Sequence, residues 1–290
     1  MKVSGNKVKH LVELYFSELN LIYSESETEA ILNSAFNHFT GYNRTEVILR
    51  QEENVNESDL LKLYKCCEDL KSGKPLQYIL NSAWFYNINF FVNEHVLIPR
   101  PETEELVELI IKENPHCKSL LDMGCGSGCI AVSIAANLSK CKIYACDINE
   151  KALHVSAINA KKNNVSLNLF KADILHSIDF SNLPIKNFDV IVSNPPYVLL
   201  SEKNSLDKNV KNFEPHSALF VGGKDPILFY KNILEYSEIL LNNKGRLYFE
   251  LNPKTAEKVK EIAVSGNLFS SVELITDMSG HIRFLKAVKK

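Results

Sequence analysis

From Ser119 onward the chain alternates short apolar runs with amphipathic stretches, and this alternation restricts the fold more than any other feature. The runs Ser119–Met123, Cys141–Cys146, Ser166–Phe170, Phe188–Ser193 and Gly245–Leu251 have strand length and carry many β-branched or aromatic residues. Between them, Ile130–Leu138, Glu150–Asn163, Pro226–Leu241 and Pro253–Val264 have helical periodicity. Strands separated by helices read as βαβ units, whose crossovers build a parallel sheet. Leu268–Thr276 and His281–Val288, joined by Asp277-Met278-Ser279-Gly280, read as a closing antiparallel hairpin. The expected class is α/β.

In open α/β sheets, ligands bind at the carboxyl ends of the strands. Three such ends carry suggestive residues. Ser119–Met123 runs into Gly124-Cys125-Gly126-Ser127-Gly128. Glycines there let the backbone turn sharply and approach a ligand, while the following helix start offers free amide hydrogens. Alone, Gly-x-Gly-x-Gly is shared by many nucleotide binders; it is not the Gly-x-x-x-x-Gly-Lys-Ser/Thr cradle of triphosphates. The second strand ends in Asp147, about twenty residues past the glycine loop, where a ribose hydroxyl pair is held. After the third strand comes Asp173, suited to accept from an adenine amino group. Each aspartate could also serve as a helix cap, since Asp147 closely precedes Asn149 and Glu150.

The fourth strand ends in Asn194-Pro195-Pro196-Tyr197. Neither proline can donate a backbone hydrogen bond and each fixes φ, so the strand stops in a stiff turn. That turn presents an amide side chain, bare carbonyl oxygens and an aromatic ring at the ligand edge. Val210–Phe220 is then expected to form a loop.

The first third of the chain reads as helices only. Leu11, Leu14, Tyr15 and Leu19 mark one apolar stripe, Ser26 with Glu29 forms a capping-box pattern, and Arg44–Gln51 gives a short helix. Asn56 or Ser58 caps a fourth helix that stops at Gly73. Residues 1–75 hold nine Lys/Arg and twelve Asp/Glu, a net of −3, which suits a protein partner better than nucleic acid. Leu76–Leu80 and Trp84–Val92 read as a linking β-hairpin with Asn81-Ser82 in its turn, followed by extended Val96-Leu97-Ile98. Pro99-Arg100-Pro101 then holds Arg100 on a rigid backbone beside the sheet, placed for contact, before a helix with an acidic first turn. The expected division is 1–73, a helical docking domain; 74–98, the linking hairpin; and 99–290, the α/β domain.

Composition excludes several classes. A net charge of −2 supplies no global attraction to nucleic acid or an anionic membrane, and no apolar run reaches the roughly twenty residues that span a bilayer. The seven cysteines lack a Cys-x-x-Cys pair, which argues against a disulfide framework or metal site and for a reducing cytoplasm.

These motifs together resemble the HemK-type protein glutamine methyltransferases that modify peptide-chain release factors. The resemblance covers nearly all of residues 70–286. It rests on Lys74-Pro75-Leu76-Gln77-Tyr78-Ile79, Leu97-Ile98-Pro99-Arg100-Pro101-Glu102-Thr103-Glu104 and Asp122–Gly128, then on Asn194–Tyr197, Phe213-Glu214-Pro215 and Asp277–Arg283. The Pro-Arg-Pro-Glu-Thr-Glu segment is the most diagnostic, because amino-methyltransferases in general share only the Asn-Pro-Pro-Tyr turn. Asn81, Pro226 and Asn252 stand where the family usually has glycine.

The resemblance implies a Rossmann-like methyltransferase fold with a seven-stranded sheet, and methyl transfer from S-adenosylmethionine to the side-chain amide nitrogen of glutamine in a Gly-Gly-Gln loop. Cofactor contacts are expected from Gly124, Cys125, Gly126, Ser127, Gly128, Asp147, Asp173, Ile174 and Asn194. Catalysis is expected from Asn194, Pro195 and Tyr197, and substrate binding from these with Pro196 and Arg100; no metal is expected. The expected partner is a release factor, with no direct nucleic-acid or membrane contact, and the expected state is a monomer. An adenine amino-methyltransferase acting on DNA is the nearest rival, since it uses the same turn on a planar nitrogen; it would need a basic groove and a device to extrude the base. A non-catalytic S-adenosylmethionine-binding protein is the second, and a nicotinamide oxidoreductase gives no reason for Asn-Pro-Pro-Tyr.

Overall fold

A computed structural model of the chain describes residues 5–176, 178, 180, 187–222 and 225–290. It contains two compact units, residues 1–82 with 207–213 and residues 83–206 with 214–290; Met1–Ser4 lie outside the described residues.

The first unit is helical: α1 (Val8–Leu19), α2 (Glu25–Thr40), α3 (Arg44–Leu49), α4 (Glu57–Lys71) and α5 (Leu76–Leu80). The apolar stripe of α1 is buried with Phe36, Leu63 and Cys67, and the buried Tyr15 hydroxyl donates to the Leu63 carbonyl at 2.8 Å. The capping box of α2 is Ser24 with Glu27, two residues before the expected Ser26 and Glu29. The run Ser24–Glu29 offers both registers. The earlier one adds Glu25 and Ser26 to the helix, which buries Thr28, Leu32, Ala35 and Phe36. Asn43 and Glu46 form a second box on α3, and Asn56 caps α4.

Leu76–Leu80 is a helix, not the expected strand. Pro75 opens it, and Leu76, Ile79 and Leu80 fall at helical spacing onto the core of the helical unit. Burial there outweighs the strand propensity of Tyr and Ile. Asn81 closes the helix in the left-handed region, φ +49°, and donates to the Gln77 carbonyl. That explains the glycine usual at this position, and asparagine is the side chain that best tolerates such a backbone. The hairpin is correspondingly shorter: β1 (Ala83–Phe85) pairs antiparallel with β2 (Ile88–Phe90). Its turn is Tyr86-Asn87 rather than Asn81-Ser82, with φ +48° and +59°, the mirror-image turn that suits strand twist.

The second unit continues through α6 (Pro101–Glu113), β3 (Ser119–Met123), α7 (Cys129–Asn137), β4 (Lys142–Asp147), α8 (Glu150–Lys162), β5 (Leu167–Lys171) and β6 (Phe188–Ser193). Where Val210–Phe220 was expected as a loop, two short helices form: α9 (Lys208–Phe213), which belongs to the first unit, and α10 (His216–Leu219). The chain ends with α11 (Leu228–Leu240), β7 (Leu241–Glu250), α12 (Ala256–Ser265), β8 (Phe269–Thr276) and β9 (Ile282–Lys289). Val96-Leu97-Ile98 is not in a strand.

The seven-stranded sheet has the order β5-β4-β3-β6-β7-β9-β8. β3, β4, β5, β6 and β7 are parallel, while β9 runs antiparallel to both β7 and β8. Chain order runs one way from β3 through β4 to β5 and the other way from β6 to β7. The switch point therefore lies between β3 and β6, where a ligand crevice opens. Register does the rest. Met123 pairs with Cys146, Asp122 with Val192 and Asp147 with Lys171, so the ends of β3 to β6 share one edge. No helix among the described residues is long and apolar enough to cross a membrane.

Candidate active site

A cavity of about 250 Å³ opens at that edge. One wall is the loop after β3. Gly124, Gly126 and Gly128 have φ of +81°, +54° and +76°, so the backbone folds back where side chains are disfavoured. The Gly124 and Cys125 amides both donate to the Cys146 carbonyl at 2.9 Å, locking the loop to the neighbouring strand. Gly124, Cys125, Gly126 and Ser127 line the cavity, whereas Gly128 does not. A Cβ on Gly128 would meet Ser156 Oγ at 2.9 Å, so that glycine serves close packing of loop on helix. A Cβ on Gly126 would meet nothing within 4 Å; its missing side chain leaves open space on the cavity wall.

Asp147 also lines the cavity. Its two carboxylate oxygens accept from the Gly126 and Asn149 amides, each at 2.9 Å. Burial raises its pKa, and those amides pull the other way. The helix-cap reading fails for Asp147, because Asn149 caps α8 by accepting from the Lys151 amide. Asp173 and Ile174 line the cavity at the end of β5, with the Ile174 carbonyl held by Asn232 Nδ2 at 3.0 Å. Asp173 accepts from the Leu175 amide at 2.9 Å. Apolar side chains of Ile148, Ile174 and Phe229 with carboxylates at two strand ends fit a nucleoside: flat apolar surface for a base, acceptors for hydroxyl and amino groups. Asp122, just below the loop, is fully buried, and its carboxylate has no hydrogen-bond partner among the described residues. Burial raises its pKa to about 7, opposed by the nearby Ala131 amide.

Asn194 and Pro196, after the adjacent strand β6, form a second wall, while Pro195 and Tyr197 do not line the cavity. The turn is held from beneath. Ser193 Oγ donates to the Met123 carbonyl at 2.5 Å, tying β6 to the glycine loop's own strand. Asn252 Nδ2 donates to the Tyr197 carbonyl at 3.3 Å, a bond that the usual glycine there could not make. The Tyr197 hydroxyl donates to Glu250 Oε1 at 3.4 Å, and burial raises the Tyr197 pKa. Asn194 Nδ2 donates to Thr103 Oγ1 at 3.4 Å, and Thr103 Oγ1 donates to Glu250 Oε2 at 2.6 Å. Glu250 is 1% exposed; burial raises its pKa, and the Thr103 bond and the Arg283 charge counter that rise.

Arg100 lines the cavity, but its guanidinium is engaged by Glu214 Oε1 at 2.6 Å. Glu214 is buried and also accepts from the Ile98 amide at 3.2 Å. Arg100 of the Pro-Arg-Pro segment and Glu214, 114 residues apart, thus form one structural clasp. Sequence reasoning missed Thr103, Glu214, Glu250 and Asn252. The first two sat inside quoted motifs, Asn252 stood out only as a departure from the family's usual glycine, and Glu250 carried no signal.

Similarity to known proteins agrees with this geometry. Residues 101–279 match the family described as "Methyltransferase small domain", and residues 14–80 match "PrmC N-terminal domain". A release factor glutamine methyltransferase from Flavobacterium psychrophilum is 39% identical over 284 residues, 96% of this chain and 98% of that protein. The chain belongs to the release factor glutamine methyltransferases. A relative of the same name from Bacteroides thetaiotaomicron is 38% identical and spans 92% of this chain and 94% of its own. A methyltransferase from Pyrococcus furiosus supports the fold, with a TM-score of 0.52 at 22% identity over 71% of this chain and 90% of that one. Gly124–Ser127 of the glycine loop and Asn194 and Pro196 of the Asn-Pro-Pro-Tyr turn line one cavity.

Proposed function

We propose that this glutamine methyltransferase transfers a methyl group from S-adenosylmethionine to the side-chain amide nitrogen of the Gly-Gly-Gln glutamine in peptide-chain release factors. One observation carries the reading beyond family membership: Asn194 lines the same cavity as Gly124–Ser127, Asp147 and Asp173. A methyl donor held by the loop would thus lie beside a side chain able to hold a planar amide.

S-adenosylmethionine supplies an electrophilic methyl group when bound. Its nucleoside is assigned to Asp147, Asp173, Ile174 and the glycine loop. The chain's own work is on the acceptor. An amide nitrogen is a poor nucleophile because its lone pair is delocalised into the carbonyl. Asn194 Oδ1 and the Pro195 carbonyl are assigned to accept hydrogen bonds from its two N–H groups, which orients the nitrogen and raises its electron density as the methyl arrives. The new N–C bond would replace the sulfonium–methyl bond, whose electron pair stays on sulfur, and one N–H proton would be released to solvent. Orientation and fixed dipoles then carry the rate. Pro196 shapes the wall, Tyr197 anchors the turn through Glu250, and Arg100 braces the entrance through Glu214. The helical unit is assigned to docking the protein substrate, a role its acidic balance supports. The enzyme is proposed to act as a cytoplasmic monomer, and its seven unpaired cysteines suit that compartment.

The test is methylation by purified protein with release factor and adenine-containing duplex DNA offered in parallel. Mass spectrometry is expected to find one added methyl on the Gly-Gly-Gln peptide and none on DNA. An unmodified glutamine, or a methylated base, refutes the reading.

A further inference from the structure

We propose that Thr103 and Glu250 are positioning residues that fix which end of the Asn194 amide faces the acceptor. The inference rests on the function proposed above and concerns a problem that the Asn-Pro-Pro-Tyr turn cannot solve by itself. A carboxamide has an acceptor branch and a donor branch of nearly equal size. Rotated by half a turn, Asn194 would present Nδ2 to a substrate amide and repel its hydrogens.

The donor–acceptor count around Thr103 removes that ambiguity. Its hydroxyl lies 2.6 Å from Glu250 Oε2, the short spacing of an O–H donated to a carboxylate. A hydroxyl has one hydrogen, and Glu250 takes it. Thr103 Oγ1 then has only lone pairs to offer Asn194, 3.4 Å away, so the Nδ2 branch must point to it. Oδ1 is left on the other branch, free to accept from a substrate amide. Glu250 is itself held: Tyr197 donates to its other carboxylate oxygen and Tyr230 to its backbone carbonyl at 2.9 Å. Arg283, fixed by Asp277 at 3.2 Å, adds positive charge nearby. Thr103 comes from the start of α6 and Glu250 from the end of β7, 147 residues later. Their meeting behind Asn194 explains why the Pro-Arg-Pro-Glu-Thr segment accompanies this turn.

The decisive variant is Thr103→Val, which keeps shape and removes the hydroxyl. With a release factor as substrate, kcat is expected to fall about 10²-fold, the scale of a misoriented reacting group. KM for the release factor and S-adenosylmethionine affinity should stay near wild type while melting temperature falls, because buried Glu250 loses a donor, and Thr103→Ser should restore most of kcat. A purely structural threonine would lower melting temperature without this split. If Thr103→Val does not fold, Thr103→Cys takes its place with the same expected loss. A kcat within about 3-fold of wild type in the folded variant overturns the proposal. A second readout needs no methyl transfer. The Asn194 side-chain NH₂ resonances, assigned by their absence in Asn194→Ala, should shift in Thr103→Val and return in Thr103→Ser. Unchanged resonances refute the relay even if the wild-type protein proves inactive on release factors, an outcome that would refute the function alone.

Discussion

The two walls of the cavity are built by opposite means. The wall assigned to the cofactor is mostly backbone, made by residues close in sequence: the left-handed Gly124 and Gly126, amides bonded to the Cys146 carbonyl, and Asp147 bridging 21 positions to Gly126. The acceptor wall is made of side chains from distant segments: Asn194 to Thr103 across 91 residues, Thr103 to Glu250 across 147, and Arg100 to Glu214 across 114. Their buried carboxylates differ in the same way. Glu214 and Glu250 are fully engaged, whereas Asp122 beneath the glycine loop has no hydrogen-bond partner among the described residues. Beneath the backbone wall, burial raises the pKa of the lone Asp122 carboxyl and so favours its uncharged form. A wall of side chains holds its geometry only while each partner stays bonded.

Asn194→Ala should break the contrast most sharply. Turnover is expected to fall about 10³-fold or more, as when an oriented dipole is removed from a reacting centre, while calorimetry should find S-adenosylmethionine affinity within a few-fold. A parallel collapse of affinity would show that the two walls are one unit.

Asp122→Asn probes the other wall. The Asp122 carboxyl is raised from 3.8 to about 7, so between those values the folded chain keeps a proton that the unfolded chain releases. The stability this contributes is complete below the unfolded pKa and is lost as pH rises toward 7. Denaturant unfolding across that interval should show wild type losing on the order of 4 kcal/mol relative to Asp122→Asn. A pH-independent difference between the two would mean that the carboxylate is solvated or paired.

The same contrast decides what sequence could reveal. A glycine loop, a strand-end aspartate and an Asn-Pro-Pro-Tyr turn are local patterns whose chemistry follows from a few adjacent residues, and the βα alternation fixes the edge on which they meet. The roles of Thr103, Glu214, Glu250 and Asn252 have no local signature: even where a motif or an unusual residue marks the position, the partner lies far along the chain and only the fold supplies it. Leu76–Leu80 was misread for a related reason, since its helix is stabilised by burial of Leu76, Ile79 and Leu80 among helices distant in sequence. The Ser24 cap was misplaced because two overlapping registers fit the motif and only packing selects one.

Arg100→Ala tests the clasp. Removing the guanidinium leaves the Glu214 side chain, 1% exposed, with a single amide donor from Ile98. An orphaned buried carboxylate should destabilise the protein by roughly 3 kcal/mol in denaturant unfolding. Arg100→Ala combined with Glu214→Gln should recover part of that loss. Stability unchanged in the single variant would return Arg100 to the role expected from sequence, a free cation placed for substrate.

Asp147→Ala has the smallest expected effect, and it tests whether the cofactor wall is backbone-built in function as well as in form. Two consequences follow from removing this carboxylate. A ribose would lose its acceptor, and the Gly126 and Asn149 amides would lose theirs. The loop should nonetheless keep its course, because the Gly124 and Cys125 amides remain bonded to Cys146 and the three left-handed glycines are unchanged. The expected result is therefore confined to binding: S-adenosylmethionine affinity falls about 10- to 100-fold, the scale of one or two hydrogen bonds to a charged group. Turnover at saturating S-adenosylmethionine should stay near wild type, because the acceptor wall is untouched. A loss of kcat under saturation would mean that Asp147, through Gly126, also sets where the methyl group lies, and that the walls divide the labour less cleanly than their construction implies.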